Sequence, residues 1–147
     1  MDDDREDRRG DDRDAAGGAT SPVGDEGPDA AYDAYRRGTE LLAGAHAHAA
    51  IAPLERARDL EPDQASIREA LARAYFRAAR FADAETEFSR ALELDPVNDY
   101  ALFGLGLCRV RLGDPDGARG YLRRATTMRP DSVHYREALG ALGPAEG

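Results

Sequence analysis

Three prolines place the strongest constraint on how this chain folds. Pro62, Pro96 and Pro130 stand 34 residues apart, twice in succession. Each closes a stretch of similar make-up: ERARDLEP, SRALELDP and RRATTMRP. In that register other columns fall into line. Ala50, Ala84 and Ala118 lie twelve residues before the prolines, and Ala57, Ala91 and Ala125 lie five before them. Between the two runs a bulky apolar column of Leu54, Phe88 and Leu122. Further upstream a small-residue column reads Gly38, Ala72, Gly106 and, after the last proline, Gly140. A period of this length belongs to a stacked array of supersecondary units, each burying its apolar face against the next.

Each unit reads as two helices. In the second, Ile67, Leu71, Ala74 and Tyr75 recur at three- and four-residue spacing, and Phe81, Ala84, Phe88, Ala91 and Leu92 do so again. The break falls near Ala78 to Arg80. In the third unit Gly113 ends one helix, Asp114 caps the next, and Pro115 sits in its first turn. Asp63, Asn98 and Asp131 or Ser132 stand where the following helices should begin and can accept from free amides. Seven helices result, the last from about Ser132 to Leu142. Small residues at the helix contacts let backbones approach, with a leucine or aromatic ring from the neighbour filling the adjacent hole. Pro53 is the misfit: inside a second helix it removes a backbone hydrogen bond, so that helix starts late or bends.

Residues 1–28 differ in kind. They carry ten acidic residues and four arginines, and Met1 and Val23 are their only sizeable apolar side chains. Such a segment cannot bury enough surface to offset the entropy of ordering it, so a disordered acidic tail is expected. Over the whole chain 29 acidic residues face 20 basic ones, giving a net charge of -9. That balance argues against a nucleic-acid binder, which needs a concentrated positive field; only a local patch of Arg73, Arg77 and Arg111 speaks for it. The opening MDDDREDRRG lacks the apolar run of a secretory signal, and its acidity is unlike a transit peptide. The longest uncharged run, Leu41 to Leu54, is too short to span a bilayer. A cytoplasmic protein without a membrane partner is expected.

The columns resemble the tetratricopeptide repeat family, whose 34-residue helix-turn-helix pattern starts W-x2-L-G-x2-Y and ends in proline. Leu71, Ala72, Tyr75, Ala84, Phe88, Ala91 and Pro96 match it in the second unit, which lacks only the opening tryptophan. The third keeps Leu105, Gly106, Ala118, Leu122, Ala125 and Pro130, with Arg109 for the tyrosine. The first keeps Gly38, Ala50, Leu54, Ala57 and Pro62, with Arg37 where leucine is usual. The resemblance implies an all-α, right-handed α-solenoid of three repeats (about 31–64, 65–98 and 99–132) with a C-terminal capping helix (132–142). The repeat domain would run from 29 to 143, leaving 144–147 as a disordered C-terminus.

In this family the first helices line a concave groove that holds extended peptides. By resemblance the inward residues are Tyr32, Tyr35, Thr39, Glu69, Arg73, Phe76, Arg77, Tyr100, Phe103, Leu107 and Arg111. Arginines among aromatic rings suit a ligand with acidic and apolar groups. Chaperone-binding members use a carboxylate clamp of lysines, asparagines and an arginine. The corresponding positions here, Tyr35, Thr39, Ala70, Tyr100 and Gly104, hold none of these, which disfavours an EEVD-type tail as the ligand. The resulting expectation is a non-catalytic protein-interaction scaffold. Its alternative is a module that self-associates through exposed repeat ends at Leu139 and Leu142. The acidic tail either solubilises the chain or, through Asp2 to Asp14, screens the groove.

No catalytic, cofactor or metal site is expected. His46 and His48 are two apart and point in different directions on a helix, so they cannot share a metal as an i, i+4 pair would. The lone Cys108, in register with Ala74, suits a buried apolar position. The glycines of Phe103-Gly104-Leu105-Gly106 have no lysine beside them and fall in mid-helix, where close packing explains them.

Overall fold

The computed structural model describes residues 27–144. Each 34-residue period folds into two antiparallel helices, and among the described residues there are seven helices and no strand. The first pair is α1 (Pro28–Ala43) and α2 (Ala47–Leu60), the second α3 (Ala65–Arg77) and α4 (Phe81–Leu94), the third α5 (Asp99–Arg111) and α6 (Pro115–Met128); α7 (Val133–Gly140) follows. The expected acidic tail and C-terminal residues lie outside the described segment, apart from its edges. None of the helices is long and apolar enough to cross a membrane.

The turn inside each pair repeats to the atom. Ala45, Ala79 and Gly113, each 34 residues apart, take φ values of 65°, 63° and 83°. Behind them the amides of His46, Arg80 and Asp114 donate to the carbonyls of Leu41, Tyr75 and Arg109, each at 2.8 Å. This double-bonded, left-handed ending satisfies carbonyls that a helix terminus would otherwise leave open. Only the third repeat announces it with glycine. At the other end of each period, Pro62, Pro96 and Pro130 follow the last helical residue by two positions and prevent continuation.

Three caps stand where the sequence places them. Asn98 accepts from the amide of Ala101 at 2.9 Å, Asp114 from Gly117 at 3.0 Å and Ser132 from Tyr135 at 3.2 Å. Asp63 does not: α3 begins after Gln64 without a side-chain cap, and Asp63 instead accepts from Arg90 of α4 at 2.8 Å. The late start considered for α2 is also excluded. It begins at Ala47, in register with Phe81 and Pro115, and carries Pro53 inside it.

The alanine columns and Leu54, Phe88 and Leu122 are buried throughout. A Cβ on Gly38 would overlap the side chain of Leu54, and one on Gly106 would come within 2.6 Å of Leu122. Gly140 breaks the pattern, with nothing within 4 Å of its would-be Cβ. The cap packs instead through Tyr135, which is buried with Leu102 and Ala125.

Candidate interaction groove

Curvature follows from which helices touch. α1 meets α3 and α3 meets α5 directly, more than α2, α4 and α6 meet one another. The first helices therefore form the inner layer, and their free faces look into the hollow of the solenoid.

Between α3 and α5 lies a small pocket lined by Arg73, Phe76, Arg77, Phe88, Tyr100, Phe103, Gly104 and Leu107. Six of these are residues expected in the groove. The other two explain its depth: Gly104 carries no side chain, and the ring of Phe88 fills the space its Cβ would occupy. Phe88 thus reaches from α4 between two first helices to floor the pocket. Both residues were legible in the sequence as packing positions, but not as pocket lining. From this floor a run of rings extends toward the cap. Phe88 meets Tyr100 edge-on at 6.2 Å, Tyr100 meets Phe103 at 6.2 Å, and Phe103 stacks on Tyr135 at 4.7 Å. Tyr135 is held from below by a 2.6 Å hydrogen bond from its hydroxyl to Asp99.

The remaining expected residues spread along the inner layer. Tyr32 and Tyr35 line a separate, more open hollow with Ala31, Glu61, Gln64, Ser66 and Ile67. Thr39 is half-buried and donates to the carbonyl of Arg36 at 3.0 Å. Arg111 lays its guanidinium over Phe76 at 5.6 Å and Phe81 at 5.2 Å, beside the pocket. Glu69, half-buried, has its carboxyl pushed up by burial and by Asp99 and Asp95, while Arg73 pulls it down. Burial likewise raises the Tyr100 hydroxyl, against the pull of Arg73 and Arg77.

Arg58 and Arg68 hold Glu87, Arg80 holds Asp83, Arg90 holds Asp63 and Glu93, and Arg109 holds Glu85. Among the described residues Arg73, Arg77 and Arg111 form no ion pair; Arg77 donates only to the carbonyl of Leu42, at 3.1 Å. The inner face presents these three cations among aromatic rings, with the Glu69 carboxylate near Arg73. His46 and His48 are exposed, and Cys108 is fully buried with its thiol pushed up to about 12 by burial and Glu85. None of the three lines this pocket.

The tetratricopeptide repeat family model matches residues 35–96 and again 69–133. The Protein CTR9 homolog of Arabidopsis thaliana is 34% identical over 108 residues, covering 73% of this chain and 10% of that protein. Cellulose synthase 2 operon protein C of Komagataeibacter xylinus is 42% identical over 65 residues, 44% of this chain and 5% of that protein. The chain thus spans a tenth or less of the length of these relatives. Among solved structures, the Arabidopsis OM64 TPR domain superposes with a TM-score of 0.76 at 22% identity, covering 78% of this chain and 95% of that one. The first TPR of Spaghetti (RPAP3), bound to the HSP90 peptide SRMEEVD, gives 0.73 at 22% identity, covering 76% and 89%. At these identities the likeness is one of fold.

Proposed function

The chain belongs to the tetratricopeptide repeat family, and from that premise we propose that it is a non-catalytic scaffold whose groove holds an extended peptide segment of a partner protein. The observation that carries this reading is the pocket between α3 and α5, where Arg73 and Arg77 border a hollow walled by Phe76, Phe103 and Leu107. An apolar side chain of the ligand enters over Phe88, and a neighbouring carboxylate meets the guanidinium of Arg73. Charge-assisted contact of that kind is short and directional, and aromatic walls supply area at little entropic cost. The Spaghetti domain holds a peptide ending in EEVD. This chain has Tyr35, Thr39, Ala70, Tyr100 and Gly104 at the clamp positions, so the ligand here is gripped by a different set of residues.

Selection from a displayed random-peptide library tests the reading. The expected result is enrichment of peptides that combine an acidic residue with a large apolar one, and their loss with Arg73→Glu and with Leu107→Asp. Peptides that survive both substitutions would place the binding surface elsewhere.

A further inference from the structure

We infer that the acidic segment Asp2 to Asp14 of this same chain docks on the groove arginines Arg73, Arg77 and Arg111 and holds the groove until a peptide with an apolar anchor displaces it. Three observations carry this. Charge is the first: residues 2–14 hold eight acidic residues against four arginines. Those three guanidiniums are without ion pairs among the described residues, with Glu69 near Arg73.

Reach is the second. Arg73 occupies on α3 the position that Thr39 occupies on α1, eleven residues beyond Pro28. That is roughly 16 Å along the helix and about 10 Å across to the neighbouring helix, or roughly 20 Å in all. Residues 15–27 connect Asp14 to the start of α1 and include four glycines. Thirteen residues of such a linker have a root-mean-square span of about 20 Å. A tether whose natural span matches the distance gives the highest effective concentration, on the order of millimolar.

Shape is the third. The pocket floored by Phe88 is walled by Phe76, Phe103 and Leu107, and the acidic segment has no large apolar side chain between Met1 and the linker. Its contact is therefore electrostatic alone and yields to a ligand that also fills the pocket. The groove then discriminates: purely acidic sequences must compete with the chain's own segment, while acidic sequences with an apolar anchor gain contacts it cannot make. This consequence rests on the proposed function, but the docking itself does not.

The test uses the full-length chain with a nitroxide on Ala16→Cys, the unsubstituted chain with its buried Cys108 serving as the labelling control. At low salt the amides of Arg73, Phe103, Leu107 and Arg111 should lose intensity by roughly twofold or more, as expected for a matched tether. Amides near Arg123 and Arg124, arginines on α6 without this hollow, should not. The loss should vanish in about 0.5 M NaCl, where screening is strong, and in the variant Asp11→Asn, Asp12→Asn, Asp14→Asn. Equal broadening of both sets, or groove broadening that survives neutralisation, would overturn the inference. So would broadening passed to a second, unlabelled copy in a mixture, since the segment would then dock between molecules. Docking with peptides selected elsewhere sinks the proposed function alone; selection at the groove without docking sinks this inference alone.

Discussion

The two joints between repeats are built on the same three positions and filled in opposite ways. At the first, Arg58 of α2 and Arg68 of α3 donate to Glu87 of α4 at 2.8 and 2.9 Å, and Glu87 is only 4% exposed. Thirty-four residues on, those positions are Leu92, Leu102 and Tyr121, which pack in one apolar cluster with Ala125 and Tyr135. The fold accepts either filling because the alanine and glycine columns, not these side chains, set the spacing of the helices. What differs is how each joint fails. An apolar joint loses transfer energy and gains a cavity, whereas an ionic joint that loses one member leaves a charge with no partner in a half-dry site.

The largest effect is expected at the apolar joint. Leu102 is fully buried, and Leu102→Ala should lower unfolding free energy by about 3–4 kcal/mol, read from urea denaturation. Glu87→Ala should cost about 2–3 kcal/mol, less because both arginines keep some access to water. A loss below about 0.5 kcal/mol, the size of an exposed pair, would show that the first joint does not depend on the triad. The comparison sharpens when one joint is rebuilt as the other. Arg58→Leu, Arg68→Leu and Glu87→Tyr together should leave stability unchanged or raise it by about 1–3 kcal/mol, since apolar replacement of a buried triad is often favourable.

Glu87 also marks where the sequence stops being readable. The columns of small residues, the proline period and the caps at Asn98, Asp114 and Ser132 are local signals, each decided within a few residues of chain. Glu87 looks like any exposed acid on an amphipathic helix. Its burial comes from partners 29 and 19 residues away on two other helices, and no period within α4 reports that. Asp63 failed as a cap for a related reason, because a distant Arg90 takes its carboxylate. The groove was partly legible: Arg73, Phe76, Arg77, Tyr100, Phe103 and Leu107 meet in one pocket. Tyr32 and Tyr35 fall in another hollow, and Phe88 crosses into the groove only because Gly104 leaves it room.

The Tyr75 position and its counterpart at the second joint should also differ at high pH. At the first, the Tyr75 hydroxyl donates to Glu55, and burial with this carboxylate pushes it up to about 12. The position equivalent to Tyr75 in the third repeat is Arg109, paired with Glu85 at 2.5 Å. A hydroxyl raised in the folded state stabilises fully below the unfolded tyrosine value, about 10, and loses that contribution as pH climbs toward the folded value. Unfolding free energy should therefore fall between pH 10 and about 12, and Tyr75→Phe should flatten part of the fall, with the remainder coming from Tyr135 and Tyr100. No tyrosine stands at this position of the third repeat, so Arg109→Gln should shift the curve without changing its slope.

The smallest effect is the cleanest, because it isolates one backbone angle. Ala79 and Gly113 close the same turn at φ 63° and 83°. Nothing lies within 4 Å of a Cβ added to Gly113, so Gly113→Ala introduces no clash beyond the residue itself. It should cost about 1 kcal/mol, the penalty for holding an L side chain in the left-handed region, partly offset by the lower freedom of alanine in the unfolded chain. Ala79→Gly should return a gain of similar size, and the double variant should sit near the parent, since sites this far apart combine additively. A loss at Gly113 with no gain at Ala79 would mean that the second repeat's turn is held by something other than the paired bonds to Tyr75 and Phe76. The nearest candidate is the Arg80 guanidinium, which lies 4.6 Å from the centre of the Tyr75 ring and clamps the same turn from outside; Arg80→Ala would then restore the missing gain.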